Sequence, residues 1–290
     1  MTGRLKRKDV MLASLAEEAV IAKLPRLLLA QPKLNGERAR GMFENDMNYH
    51  FYSSYGTRFK FLEKQEEALR VSARLSWSQY HDLDGEFYKH GWSRERIHSV
   101  VSRKTNPHPD IKDIEYHVFD MYDFQYPGKH KPACVRERVL SCLVESDRIK
   151  LVPTTLIYKE DIVSYTAEQV ALGYEGGIFR DPDALYVDTK CRAMVKFKPT
   201  KIDRYIIIGY EEEISQDGWA KGTLGAIVVK DSSGIVFNVG SGKALTLEGR
   251  QRLWNKRETL KGKWAKVKHS EIMTVNGMPT CTSLLEVEVE

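Results

Sequence analysis

Lys33 stands in the run Gln31-Pro32-Lys33-Leu34-Asn35-Gly36-Glu37-Arg38, between Leu27-Leu28-Leu29-Ala30 and Ala39-Arg40-Gly41-Met42-Phe43. Both flanks are strand-like, so the spacing predicts a short hairpin turn in which Asn35-Gly36 supplies left-handed backbone. A lysine presented in this way is a candidate nucleophile toward phosphorus. Its amine attacks only when neutral, and neighbouring cations favour the neutral form. That chemistry requires other lysines near Lys33; an ordinary hairpin with an exposed lysine is the alternative for the octapeptide taken alone.

Other stretches supply groups suited to such a site. Leu83-Asp84-Gly85-Glu86-Phe87-Tyr88 reads as a strand whose period of two sets Asp84, Glu86 and Tyr88 on one face. Glu86 is therefore either a site carboxylate or a cross-strand partner for a surface lysine. In Tyr174-Glu175-Gly176-Gly177-Ile178-Phe179-Arg180 the paired glycines permit close backbone approach, and Asp181-Pro182-Asp183 closes the segment as a turn. Met194-Val195-Lys196-Phe197-Lys198-Pro199 is a strand with Lys196 and Lys198 on the same side. Two like charges on one face suit a solvated edge or a polyphosphate. Phe119, inside the strand-like Tyr116 to Tyr122, either packs in a core or stacks on a base. Phe51 to Phe59 suits a strand end or a phosphate-contacting loop.

The elements that must position these groups follow from periodicity. Helical spacing covers Asp9 to Leu24, ended by Pro25, and recurs in Glu63 to Leu75, Arg136 to Glu145 and Asp161 to Leu172, with Ser93 capping a further helix toward Lys104. Ile149 to Pro153 is a strand. From Tyr205 onward the pattern is of short strands (Tyr205 to Glu211, Gly222 to Lys230, Ile235 to Val239, Trp264 to Lys268, Leu284 to Val289) with one helix, Thr246 to Lys256. Five strands and an inserted helix suit an OB-type barrel.

A chain of 290 residues accommodates a large and a small domain. Its 42% hydrophobic and 29% charged residues are ordinary, and no apolar run reaches the roughly 18 residues a membrane span needs. The basic start, Met1 to Lys8, lacks the apolar stretch of a secretory signal. Cys134, Cys142, Cys191 and Cys281 form no CxxC pair, which argues against a zinc knuckle or disulfide framework and for a reducing interior. A net charge of +5 points only weakly to a polyanionic partner.

Taken in order, Lys33-Leu34-Asn35-Gly36-Glu37-Arg38, Leu83-Asp84-Gly85-Glu86-Phe87, Phe119-Asp120, Glu175-Gly176-Gly177-Ile178-Phe179-Arg180 and Lys196-Phe197-Lys198 resemble the ordered motifs of the covalent nucleotidyltransferases, the ATP-dependent polynucleotide ligases and mRNA capping enzymes. Gln31-Pro32 and Lys-Phe-Lys-Pro are most similar to small phage-type ATP-dependent DNA ligases. The resemblance spans Leu27 to Pro199. It implies an α+β fold: an adenylation domain of antiparallel sheets with flanking helices over residues 1–200, then an OB-fold barrel over 201–290, joined by a hinge near Pro199 to Ile202.

The resemblance also implies the chemistry. Lys33 would attack the α-phosphate of ATP, and the lysyl-AMP would pass its adenylate to a nucleic-acid 5′-phosphate for attack by a 3′-hydroxyl. Glu175, with Glu86, would bind Mg²⁺, and Lys196 and Lys198 would hold the α-phosphate. Arg38 and Glu86 would place ribose or phosphate, and Phe119 would stack on adenine with Gln31 near the base and Asn35 in the nucleotide pocket. The partner would be nicked duplex DNA and the enzyme a cytoplasmic monomer, acting in the host cytoplasm if phage-encoded. An RNA ligase, a capping guanylyltransferase and a non-catalytic nucleic-acid-binding protein are the competing readings. The chain departs from the family pattern twice. Asn35 replaces the usual aspartate, and Gly277 to Ser283 lacks the terminal basic motif, for which Lys263, Lys266 or Lys268 would substitute.

Overall fold

The computed structural model describes residues 10–75, 81–122, 131–215, 217–270, 278–279 and 282–288. The chain divides into two compact units, Met1–Lys198 and Pro199–Glu290. The first runs β1 (Leu12–Leu15), α1 (Glu18–Ile21), β2 (Leu27–Lys33), β3 (Glu37–Phe43), β4 (Tyr49–Ser53), α2 (Glu63–Leu75), β5 (Asp82–Tyr88), α3 (Arg94–Val101), β6 (Glu115–Tyr122) and α4 (Ala133–Leu140). It continues with β7 (Ile149–Leu151), β8 (Thr155–Tyr158), α5 (Ile162–Ala171), β9 (Gly176–Arg180) and β10 (Lys190–Phe197). These strands make two five-stranded sheets, ordered β1-β10-β9-β2-β8 and β4-β3-β5-β6-β7. Pairing is antiparallel except for β1 with β10 and β6 with β7.

The two sheets have separate cores. Leu28, Ala30, Ile162, Phe179 and Val195 pack beneath the first, whereas Leu34, Ala39, Phe51, Phe87 and Tyr116 pack within the second. In the latter the Phe51 ring meets Phe87 and Tyr116 edge-on, with centroids 4.9 and 4.7 Å apart, a favoured aromatic geometry. The amphipathic α2 presses Leu69 and Ala73, four residues apart, into the same core. Ser93 caps α3 by accepting from the Arg96 N–H, as its sequence position predicts.

Several expectations fail. The apolar spacing of Asp9 to Leu24 is helical only over Glu18–Ile21, because Leu12–Leu15 pairs in parallel with β10, Leu15 lying opposite Lys196. Long-range pairing overrides the local period there. Lys33 does not sit in a hairpin: β2 pairs with β8 and β9 and β3 with β4 and β5, so the chain crosses from one core to the other. Nor is the turn left-handed, since neither Asn35 nor Gly36 is among the positive-φ residues. The helix expected over Arg136 to Glu145 instead spans Ala133–Leu140, and β8 had no anticipated counterpart.

On β6, Glu115 accepts from Lys89 Nζ at 2.6 Å and pairs with His117 Nε2 at 2.9 Å. Burial works to raise this carboxyl, but His117 and Lys89 outweigh it and bring the pKa down to about 2. An unfolded glutamate titrates near 4.3, so the group stabilises the fold above that pH, and the contribution is lost as pH falls toward 2. Glu115→Gln is expected to lower the melting temperature at neutral pH and to flatten its decline across that acidic window in thermal melts.

The second unit comprises β11 (Thr200–Ile214), β12 (Ala220–Lys230), β13 (Val236–Val239), α6 (Leu247–Asn255), β14 (Trp264–Ser270) and β15 (Ser283–Glu288), in one sheet ordered β13-β12-β11-β14-β15. Register shifts at Ile207/Gly209 and Glu211/Glu212 bend β11. The curl brings the far edges together. Leu284 of β15 donates its N–H to Ser241 O at 2.7 Å and accepts from Ala244 N, on the segment that follows β13. Lys266 pairs with Glu286 at 3.3 Å on β14 and β15. Gly277, Thr280 and Cys281 lie outside the described residues.

Candidate active site

Strand register gathers the lysines. Gln31 lies opposite Ile178, Ile178 opposite Lys196, and Lys33 opposite Gly176. Opposed residues share a face, as do residues two apart along a strand. Gln31, Lys33 and Lys196 therefore occupy one face, and Lys198 follows at the same period just beyond β10. Glu175 completes the group from the residue before β9. Its N–H donates to the Lys33 carbonyl at 2.9 Å, and its two carboxylate oxygens receive Lys33 Nζ and Lys198 Nζ, one each.

The glycines after Glu175 make this convergence possible. Gly176 adopts φ 152°, and a Cβ there would lie 2.2 Å from the Phe197 carbonyl oxygen. Glycine thus lets β9 approach the end of β10, from which Lys198 leaves. Burial favours the protonated form of Glu175, but Lys33 and Lys198 outweigh it and hold the carboxyl below its ordinary range. The expected neighbouring lysine is Lys198, bound to the same anion. An ammonium donating to Glu175 has no lone pair to offer, so Lys33 must give up a proton and this partner before it can attack.

The second sheet contributes Arg38, opposite Glu86, and Asp84, opposite Arg40. Glu86 accepts the Gly36 N–H at 2.7 Å. Burial raises its pKa, with Lys33, the Gly36 N–H and Arg38 opposing and Glu175 adding to the rise. The two carboxylates are thus driven in opposite directions, a pattern common where charge is managed for chemistry. Arg38 donates from Nε to Asp84 Oδ1 at 3.0 Å and from Nη1 to the Met11 carbonyl at 2.8 Å. Burial works against its charge, yet Asp84 more than compensates and keeps it a guanidinium.

Phe119 owes its position to a β-bulge. Asp84 pairs with Asp120 and Gly85 with Val118, which leaves Phe119 as an extra residue in β6. Its carbonyl accepts from Gln31 Nε2 at 3.1 Å, the same amide reaches Thr154 Oγ1 at 2.9 Å, and the Arg38 guanidinium lies 5.4 Å above the Phe119 ring. Half-buried Asn35 sits in the β2–β3 connection. Beneath Phe119, the buried Asp120 binds Arg136 Nε at 2.7 Å and Arg180 Nη1 at 2.8 Å. Sequence reasoning misses Arg136 and Tyr186, and it names Asp84, Asp120 and Arg180 within strands or motifs without giving them a role.

Gly36 is needed for contact rather than for backbone handedness. A Cβ at this position would lie 2.1 Å from the Phe87 carbonyl oxygen. Gly36→Ala is expected to displace the β2–β3 connection and its bond to Glu86. The variant should melt several degrees lower, as a loss of about 1–2 kcal/mol would require, and should take up labelled adenylate more slowly. An unchanged uptake rate would show that the connection does not set the position of Lys33.

Two sheets meeting at a lysine and two carboxylates, followed by a curled five-stranded unit, define a nucleotidyltransferase with a C-terminal OB fold. Residues 10–198 match the family model of the ATP dependent DNA ligase domain, and the chain belongs to that family. A Lig E DNA ligase, studied for DNA binding with a minimal scaffold, superposes with a TM-score of 0.72 at 19% identity over 96% of this chain and 98% of that one. The ATP-dependent DNA ligase of bacteriophage T7, in complex with ATP, gives 0.58 at 16% identity over 98% and 99%. The Pmar-Lig PreS3 structure gives 0.77 at 19% identity, over 96% of this chain and 67% of that one. No curated protein matches the sequence. The chain is an ATP-dependent DNA ligase. Among the described residues, no helix is long and apolar enough to cross a membrane.

Proposed function

We propose that Lys33 is the residue that carries the adenylate. The observation behind this is the convergence of Lys33 and Lys198 on Glu175, beside Glu86 and Arg38. The Lys33 amine, once deprotonated, would attack the α-phosphorus of ATP, forming the N–P bond as the bond to pyrophosphate breaks. Phosphoryl transfer depends on position and charge neutralisation, and Lys198, Lys196 and Arg38 supply cations for it. Of the two carboxylates, Glu86 has the surroundings that favour holding a proton, whereas Glu175 binds the lysines in place. Phe119 offers a stacking face and Gln31 a fixed amide for the base, with Asn35 in the connection that follows Lys33.

Magnesium suits this donor set. The ion is commonly held by one or two carboxylates together with substrate phosphates, and Glu175 and Glu86 are near enough to influence each other's charge. Among the described residues no cluster of three or more His, Cys, Asp or Glu is arranged to hold a metal by protein groups alone, so the phosphates would complete the shell. The ion would neutralise charge on the departing pyrophosphate.

The preferred substrate is nicked duplex DNA, bound by a monomer. Incubation with radiolabelled ATP or GTP, followed by a denaturing gel, tests the covalent step and the donor together. Label is expected on the protein from ATP only; label from GTP would displace the adenine assignment. Sealing of nicks bearing DNA or RNA on each side tests the substrate, and faster sealing with RNA on the 3′-hydroxyl side would move the specificity to RNA. Each phosphate contact contributes about −0.9 to the slope of log affinity against log salt, so nick binding should weaken steeply as salt rises.

A further inference from the structure

We propose that Tyr186, in the β9–β10 connection, is a positioning residue for Arg38 and acts through Asp84. The proposal depends on the reading of Arg38 as a site residue. Tyr186 is 2% exposed and Asp84 fully buried, so any hydrogen bond between them escapes competition from water. The hydroxyl donates to Asp84 Oδ2 at 2.7 Å. It also accepts the Met11 N–H at 3.1 Å, which occupies a lone pair and directs the hydroxyl hydrogen toward Asp84.

The bonds close into a ring. Arg38 donates from Nε and Nη2 to the two oxygens of Asp84 and from Nη1 to the Met11 carbonyl, while Met11 returns to Tyr186 through its N–H. Three of the five guanidinium N–H groups are committed in this ring. The other two, one on each terminal nitrogen, suit the paired oxygens of a phosphate. The Arg38 side chain retains 21% exposure, enough to present them.

Packing holds the tyrosine where the ring needs it. Met11, Ala184 and Met194 surround it in a small core, and the Arg136 guanidinium lies 5.7 Å from its ring centroid. Arg136 in turn binds Asp120, next to Phe119. Tyr186 thus stands between the two buried ion networks that flank Phe119 and transmits the fixed geometry of one to Arg38. Without the hydroxyl, Asp84 would lose a donor and the Met11 N–H an acceptor, and both anchors of Arg38 would loosen.

A double-mutant cycle on single-turnover sealing of a pre-adenylylated nicked DNA tests this, with melting temperature recorded for each variant. Misplacement of a positioned group by a fraction of an ångström to an ångström costs up to about 100-fold in rate. Tyr186→Phe is expected to slow sealing about 10-fold with little change in the enzyme concentration that half-saturates the rate, and Arg38→Ala about 100-fold. The double variant should be no slower than Arg38→Ala alone, because coupled residues are non-additive. Multiplied effects, near 1,000-fold by the same arithmetic, or an unslowed Tyr186→Phe that merely melts lower, would overturn the proposal and leave Arg38 in the site. A full-rate Arg38→Ala would overturn both. If Tyr186→Phe does not fold, the cycle is run with Asp84→Asn, which keeps the tyrosine packed. Additivity with Arg38→Ala would then be the refuting result.

Discussion

Replacing Lys33 with alanine is expected to abolish the labelled protein adenylate while leaving the fold in place. Loss of an attacking group costs on the order of 10⁴-fold or more, since no other side chain then makes the bond. The structural cost is small by comparison. Lys33 keeps 18% of its side chain exposed, and its partner Glu175 retains Lys198. Removing one of two like charges also relieves their mutual repulsion, so the net loss should stay below the roughly 3 kcal/mol of breaking a buried pair outright. Thermal melting and a nick-binding assay distinguish the two effects. Label on the alanine variant would remove Lys33 from the nucleophilic role.

Glu175→Ala should do damage of both kinds. Glu175 is buried and is the shared partner of two ammonium groups, so its removal leaves two close cations without their common counter-ion. Breaking a buried pair in this way costs about 3 kcal/mol. The adenylation rate should fall at least about 100-fold, the scale set by loss of one preorganised electrostatic group. Salt separates this reading from a simple packing defect. Screening weakens the repulsion between Lys33 and Lys198, so the variant should recover part of its melting temperature at high salt, while a Gly36→Ala defect should not. Partial recovery of activity at raised Mg²⁺ is expected only where Glu86 still contributes. Unchanged metal dependence would remove Glu175 from metal binding.

The residue types gathered at the candidate site are more legible in the sequence than the backbone that gathers them. Lys33, Glu86, Glu175 and Lys198 were legible because chemistry depends on residue type, and a period of two already placed Asp84 with Glu86. The α2 helix was legible because Leu69 and Ala73 repeat at helical spacing over Glu63–Leu75. What escaped were decisions made by distant partners. Leu12–Leu15 became a strand because residues around Lys190 lay alongside it. The β2–β3 connection left one core for another because Leu28 and Leu34 found different neighbours. Tyr186 looked like any loop aromatic, since its partners Asp84 and Met11 are 102 and 175 residues away.

The bulge at Phe119 has a consequence for how such a chain can change over time. With Phe119 omitted, Tyr116, Val118 and Met121 would still face the core and His117 and Asp120 the opposite side, because strict alternation would give the pairings that the bulge preserves. The ladder is therefore already in register without Phe119, although the ring packs against the edge of this core. Loss of a single codon would leave the ladder to β5 intact and delete the ring beside Arg38 and the carbonyl that holds Gln31, whereas removal of Val118 or Asp120 would empty a core position or unseat Arg136 and Arg180. At this position insertion and deletion, rather than substitution, offer a short path between a strand that sets an aromatic ring beneath the Arg38 guanidinium and one that merely holds a sheet together.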